Sequence, residues 1–414
     1  MSAMEQTSSS PVLDFYAGAK VLITGGTGFL GKSLLDKLLR VYFSDPPITE
    51  KNFLNVINSL PNEKIDEISP YLIKPWPNNY AYTKAIAESI IVDNIKDYPV
   101  VVLRPSIVMG SYKEPVPGWT DNLNGPTGIL AGVGSGLLRV LWVDKNVNAN
   151  LVPVDMVVNA LLCSAWDVAN NKNTSENYNK KKLYEKMDSK ENSEIIAEKN
   201  LKVYNFVSKK DNSITWEDFL KINFKHGVKY PMEVFIWYYT VSLFKMKLFF
   251  NIFTVLYHFI PGLFMDMVLF LIGKKTQFIK AYKKIYSFSS ALAFFANHEW
   301  HFKYKNVDNL WDRLSDEDKK LFHFNMSELD WDEYFKNVIK GLRCFIFKLS
   351  ESSIERCRKK LFMFWVLHKL LQVFLAGLFI WLVNKYIFQI GNFFYNKPIE
   401  ESIVLTQKMV TNSS

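Results

Sequence analysis

The sequence predicts an α/β sheet domain, a helical second domain and a C-terminal membrane segment, on three observations. Lys20–Arg40 reads as a strand (KVLIT), a glycine turn (GGTGFLG) and an apolar-periodic helix (SLLDKLLR), the opening unit of a parallel sheet. Pro99–Leu103 (PVVVL) reads as a short buried strand, closed by Arg104 and Pro105. Leu361–Val383 is an apolar run with His368 and Lys369 as its only ionisable groups, long enough to cross a bilayer.

Composition agrees. The chain has 414 residues, 49% hydrophobic and 22% charged, which excludes global disorder. Three cysteines exclude a disulfide scaffold and a cysteine-based zinc site, and no metal site is expected. The net charge of +9 leaves three kinds of partner: nucleic acid, an anionic membrane surface, or a phosphate-bearing substrate. The 15% aromatic content points to large apolar surfaces in a core, a lipid pocket or a membrane face.

Along the chain, Glu50–Leu60 can form a helix and Asn79–Ile95 has helical spacing. Residues 170–200, rich in Asn, Lys, Glu and Ser, read as a solvated surface insertion, and Leu201–Phe206 resumes as a strand. Val234–Ile272 is apolar but interrupted by lysines, His258, Pro261 and Asp266; it reads as buried or interfacial helices rather than a span. The N-terminus lacks the pattern of a secretory signal. Basic residues crowd the approach to Leu361 (Arg343, Lys348, Arg356, Arg358, Lys359, Lys360), whereas only Lys385 and Lys397 follow closely. The positive-inside rule then places the large N-terminal part in the cytosol. The expected layout is a catalytic domain over 1–230, a helical domain over 231–350, a membrane helix over 361–390 and a tail over 391–414.

Three constellations carry chemistry. Thr24, Gly25, Gly26, Thr27, Gly28, Phe29, Leu30 and Gly31 form a strand–turn–helix junction with glycines every third residue. There backbone N–H groups can approach a pyrophosphate and the helix N-terminus offers partial positive charge. This is the context of a Rossmann-type NAD(P)-binding domain, with the spacing of extended short-chain dehydrogenases. Tyr80 and Lys84 form a Y-x-x-x-K pair on one helical turn, where an ammonium lowers a phenol pKa and readies it for proton exchange with a carbonyl oxygen. The same spacing occurs at Tyr16/Lys20 and Tyr178/Lys182, but only Tyr80/Lys84 begins a helix feeding a buried strand; an ordinary surface pair is the competing reading. Val101–Arg139 runs from a strand ending in Arg104-Pro105 into a Gly/Pro-rich loop. It reads equally as a nicotinamide rest, with Arg104, Pro105 and Ile107, or as a plain structural loop.

Together these segments resemble the alcohol-forming fatty acyl-CoA reductases of the insect and animal type, related to male-sterility proteins. TGGTGFLGKSLLDKLLR, PNNYAYTKAIAE, RPSIVMGSYKEPVPGWTDNLNGPTGI, VPVDMVVNAL, HFIPGLFMDM, HEWHFKYKN and FNMSELDWDEYF all read like family segments. The resemblance implies that Gly25, Gly28 and Gly31 hold the NADPH pyrophosphate, that Tyr80 and Lys84 are catalytic, and that Lys84 also binds the nicotinamide ribose. It implies long-chain fatty acyl-CoA as substrate, a primary alcohol as product and no nucleic-acid partner. It also implies a peroxisomal or endoplasmic-reticulum membrane. Another extended dehydrogenase, such as one acting on sterols, is the alternative enzyme.

The sequence departs from that family between Arg40 and Tyr80. The interval is too short for the remaining N-terminal strands of the sheet, since each βαβ unit needs about 30 residues or more. The join falls near Arg40/Val41. The catalytic serine and the basic residue for the adenosine 2′-phosphate have no counterpart: Ser44, Ser59 and Ser69 each lie away from the end of an apolar strand. The expected domain is therefore incomplete, and a catalytically impaired form of such a reductase is the second reading.

Overall fold

A computed structural model describes residues 10–19, 21, 28–30, 32–34, 84, 88, 100–183 and 202–411, with side chains described except over 171–183 and 390–411. All of the expected first strand but Val21, the turn residues Thr24–Thr27 and Gly31, the junction at 40–41, the helix expected over 50–60, Tyr80 and residues 184–201 lie outside that set.

In chain order the elements are α1 (Pro11–Tyr16), β1 (Val101–Pro105), β2 (Ile107–Met109), α2 (Gly125–Gly134), β3 (Val140–Leu141), β4 (Leu151–Pro153), α3 (Val154–Leu183), β5 (Lys202–Phe206), α4 (Trp216–Lys229) and β6 (Ser242–Leu243). Then follow α5 (Lys247–Thr254), a π turn (Val255–Phe259), α6 (Ile260–Leu271), α7 (Phe278–Ala296), α8 (Lys305–Arg313), α9 (Asp316–Leu321), α10 (Trp331–Gly341) and α11 (Ile354–Thr411).

The strands pair in parallel: β1 with β5 from Val101↔Lys202 to Pro105↔Phe206, β2 with β4, and β3 with β6. A parallel pair needs a crossover, and α3 packs against both β1 and β5. The β1 and β5 strands follow the apolar runs read from the sequence. Two further pairs, β2–β4 and β3–β6, are too short to leave a periodic signature. The first part of the polar run after Asn170 continues the backbone of α3 to Leu183.

Local chemistry sets the helix starts. Thr215 caps α4 in a reciprocal box: its hydroxyl accepts the Asp218 N–H at 3.1 Å while the Asp218 carboxylate accepts the Thr215 N–H. Asp330 caps α10 by accepting the Asp332 and Glu333 N–H groups. These two helices meet through the rings of Phe219 and Phe335, 5.4 Å apart, and Trp331 stacks on Phe335 within α10 at 5.6 Å. One contiguous core joins residues from both sides of position 230, including Tyr204, Phe206, Phe219, Phe324, Tyr334 and Phe335.

A buried carboxylate fastens the sheet to the helical part. Asp167 on α3 accepts from Tyr204 of β5 and is paired with Lys202 and with Arg313 of α8 at 2.6 Å. Three partners are what a buried charge requires.

The interruption expected at Pro261 is absorbed. The π turn lets the Ile260 N–H donate to Val255 carbonyl oxygen, and Pro261 sits at the start of α6, where its missing N–H costs little. The helix α11 runs past the expected membrane segment, so residues read as a tail from 391 are helical to Thr411. Its root is held to the body: Arg356 pairs with Glu233, and the Arg358 guanidinium donates to Lys229 carbonyl. One of the flanking cations counted in the sequence, Arg343, is instead buried, donating to Pro231 carbonyl and Ser353 hydroxyl.

Candidate functional site

Gly28 is exposed and opens a helical stretch seen at Phe29, Leu30 and Lys32–Leu34, with the Lys32 N–H donating to Gly28 carbonyl at 2.8 Å. Two contacts fix this first turn to the loop after β2. The Phe29 ring stacks on Trp119 at 5.4 Å, and Lys32 Nζ meets the Asp121 carboxylate at 2.5 Å. Partial burial pushes the Asp121 carboxyl up, but hydrogen bonds from Lys32 and Asn122 outweigh it and hold the group below its ordinary value.

That loop is in turn clamped from both sides. Asp155, at the start of α3, accepts the N–H groups of Tyr112, Lys113 and Glu114 at 2.8, 2.8 and 3.0 Å. Burial pushes its carboxyl above the usual range, and the three donors offset part of that. On the other side, Tyr334 of α10 donates to Gly110 carbonyl at 2.7 Å. Gly118, at φ +76°, touches α10 backbone to backbone: a Cβ there would lie 2.0 Å from Asn337 carbonyl oxygen, and one at Gly341 would lie 1.8 Å from Gly118 carbonyl oxygen.

The second constellation is tied to β1. Lys84 and Glu88 are both helical, one turn apart. Arg104, near the end of β1, embraces Glu88 with two nitrogens, Nε to Oε1 at 2.9 Å and Nη2 to Oε2. The guanidinium expected at a cofactor thus pairs with a carboxylate one turn beyond Lys84. Pro105 ends the strand, the Ser106 N–H donates to Phe206 carbonyl, and the Ile107 N–H donates to Asn150 carbonyl. Between Pro105 and Ile107, the Ser106 hydroxyl is buried with no partner among the described residues.

A cavity of about 510 Å³ lies between α2, α4 and the segment leading to β6. Its walls are largely apolar, among them Leu130, Val133, Leu220, Phe224, Met232 and Leu243, with Lys145, Glu217 and Lys221 also lining it. Two buried polar atoms of its lining have no partner among the described residues: Tyr239 Oη and Asn223 Oδ1. Burial pushes the Tyr239 phenol well above its ordinary value. The volume is within the ordinary range for small-molecule sites, about 300–1,000 Å³. Its wall α2 directly follows the loop that stacks on Phe29.

Sequence reasoning missed Glu88, Asp155, Ser106 and the whole cavity lining. Asp155 alone left a signal, as an acid opening an apolar helix. Among the described residues no cluster of His, Cys, Asp and Glu could hold a metal ion.

Comparison with known proteins adds the family. Residues 43–161 match an NAD-binding family model described as male sterility protein, and residues 257–349 match a second model of the same description. The first match begins just after the junction inferred at Arg40/Val41. A fatty acyl-CoA reductase of Drosophila melanogaster, named wat, is 36% identical over 326 residues, covering 79% of this chain and 58% of that protein. Fatty acyl-CoA reductase 1 of Rattus norvegicus is 30% identical over 319 residues, covering 76% of this chain and 56% of that protein. Human fatty acyl-CoA reductase 2 is 29% identical over 323 residues. The chain thus spans a little over half the length of these relatives.

Proposed function

Since the chain belongs to the fatty acyl-CoA reductase family, we propose that it binds a long-chain fatty acyl-CoA and NADPH and is built to reduce the acyl group to a primary alcohol. The observation that carries the substrate reading is the cavity: an apolar space lined in part by α2, the helix that follows the loop stacked on Phe29. An acyl chain there would be removed from water, with Tyr239 and Asn223 as the polar groups it leaves for a thioester or a bound water.

The residues present fit a nicotinamide dinucleotide. Gly25, Gly28 and Gly31 would hold the pyrophosphate, Lys84 the nicotinamide ribose, and the Pro105–Ile107 turn the nicotinamide end, where the orphaned Ser106 hydroxyl offers a polar contact. When bound, that cofactor supplies the hydride. Tyr80 supplies the proton to the carbonyl oxygen, and Lys84 lowers the phenol pKa by its charge. Arg104 holds the Lys84 helix through Glu88. Two rounds, each taking one hydride and one proton, would convert the thioester to aldehyde with release of the CoA thiol, and then the aldehyde to alcohol.

A second reading keeps the ligands and reduces the turnover. It is favoured by the short Arg40–Tyr80 interval and by the family match that begins only at residue 43. The test is Tyr80→Phe in a chain whose sheet is completed with the corresponding strands of the fly relative. Acyl-CoA-dependent NADPH oxidation should disappear while NADPH binding remains; unchanged turnover would overturn the assignment.

Among the described residues two stretches, Lys247–Leu271 and Glu351–Gln389, are long and apolar enough to cross a bilayer; the membrane reading rests on the second, most of which lies in α11. We place the catalytic part on the cytosolic side of a peroxisomal or endoplasmic-reticulum membrane. Alkaline carbonate should leave the full chain with the membrane; its release to the supernatant would overturn the insertion.

A further inference from the structure

Between Phe244 and Ser290 the chain carries seven lysines, among them Lys245, Lys247, Lys274 and Lys275, and one acid, Asp266. That acid is no counter-charge for them. It is buried, and its oxygens accept the N–H groups of Gln277, Phe278 and Ile279 at 2.8, 2.9 and 2.9 Å, opening α7.

The same stretch has an apolar face that no described residue covers. α5, the π turn and α6 form one rod, and its buried residues fall every fourth position: Phe250, Thr254, His258, Gly262 and Asp266. This stripe lies along the body. Phe250 stacks on Trp142 at 5.9 Å and on Tyr286 at 5.5 Å, and His258 stacks on Tyr282 at 4.9 Å. The rest of the rod is in the open, with Leu248 62%, Leu263 64%, Phe264 60%, Phe270 74% and Leu271 76% exposed. So large a continuous apolar surface on a folded body marks an interaction site.

Its position relative to α11 narrows the occupant. The Arg139 N–H donates to His258 Nε2 at 2.9 Å, the Arg139 guanidinium lies 5.8 Å from the Trp237 ring, and Trp237 Nε1 donates to His368 of α11 at 3.1 Å. A short chain of contacts thus links the rod to the apolar part of α11. The charge excess is of the sign that anionic headgroups attract.

We propose that the α5–α6 rod is a second membrane element, lying in the plane of an anionic lipid surface beside α11 rather than crossing it. The rod is pinned along its length to α7, so it meets the bilayer side-on. Its apolar face sinks to the headgroup–acyl boundary, about 5–10 Å deep, and the lysines at its two ends meet the lipid phosphates. The inference does not rest on the reductase reading.

The test uses the full chain with Cys344→Ser, since Cys344 is exposed while Cys163 and Cys357 are buried. Single cysteines replace Leu256, Phe264 or Leu271 on the open face, or Lys283 on α7, and carry an environment-sensitive fluorophore. The probe is vesicles of phosphatidylcholine containing phosphatidylserine, with bromines at shallow or deep acyl positions. The three apolar sites should brighten several-fold and be quenched alike by shallow bromines, while the Lys283 site stays open to aqueous iodide. Lys274→Gln with Lys275→Gln should weaken the response to anionic vesicles by about tenfold or more. Equal iodide quenching of all labels with and without vesicles would overturn the proposal. So would deep quenching at Leu256 with none at Leu271, which marks a spanning helix. Protection that needs protein concentration rather than lipid would assign the face to a second copy and overturn it as well.

Discussion

Arg104 holds Glu88 through two guanidinium nitrogens, and Glu88 lies one helical turn beyond Lys84. The pair is half-exposed, so its contribution to stability is small, about 0–1 kcal/mol. Its consequence is geometric: a planar guanidinium gripping both carboxylate oxygens fixes the angle of the Lys84 helix against β1.

In a chain with a completed sheet, Arg104→Leu should therefore lower kcat by about 10²-fold, the scale of a small misplacement of reacting groups. The KM for NADPH should change little, and Arg104→Lys should recover only part of the loss. A rise in that KM with kcat intact would make Arg104 a cofactor contact instead.

The contact of Gly118 with Gly341 leaves no space for a side chain on either. Gly341→Ala should lower the urea midpoint of the detergent-solubilised chain by an amount equivalent to about 1–3 kcal/mol, the cost of overpacking. Gly377→Ala, on the apolar helix with nothing near its Cβ, should not. Equal stability of the two variants would contradict the close packing of α10 on the loop.

Leu220 lines the cavity and is half-buried. Leu220→Trp should fill part of the space and weaken binding of long-chain acyl-CoA more than of short-chain acyl-CoA. Titration of the two ligands against the full chain measures it. Equal losses for both would place the acyl chain elsewhere.

How much of this was legible in the sequence depended on the range of the interaction. PVVVL and LKVYNF are local apolar runs, and they became β1 and β5 within about two residues, the usual uncertainty of an element boundary. The apolar Leu361–Val383 run likewise became helix. Arg104 was visible as the end of a strand, but its partner Glu88 was not, because nothing in one sequence says which carboxylate a guanidinium will meet. The cavity draws on α2, α4 and the approach to β6, so no window of the chain contains it. The interfacial reading of Val234–Ile272 came from interruptions in an apolar run; the structure shows how they are used, with His258, Gly262 and Asp266 forming the buried stripe of a rod exposed elsewhere.

Acid should loosen the α4 end of the cavity. The Thr215 hydroxyl and N–H hold Asp218 below its ordinary value, and Lys245 holds Asp144 below its own. A depressed carboxylate pKa stabilises the fold above the unfolded value and loses that contribution as pH falls through the folded value. Thermal midpoints should fall as pH drops below about 4, and Asp218→Asn should flatten part of that slope. An unchanged slope in Asp218→Asn would remove the capping box from the acid response.

The most direct test is fatty alcohol formation by this chain in membranes with long-chain acyl-CoA and NADPH, beside the same chain with its sheet completed. The completed chain should form alcohol in a Tyr80-dependent way. On the reading that strands and the catalytic serine are missing before Tyr80, the chain as it stands should form it at a rate about 10²-fold lower or less, because hydride transfer needs its groups held in near-attack geometry. Alcohol from the unaltered chain at the completed chain's rate, or none from either, would contradict the account.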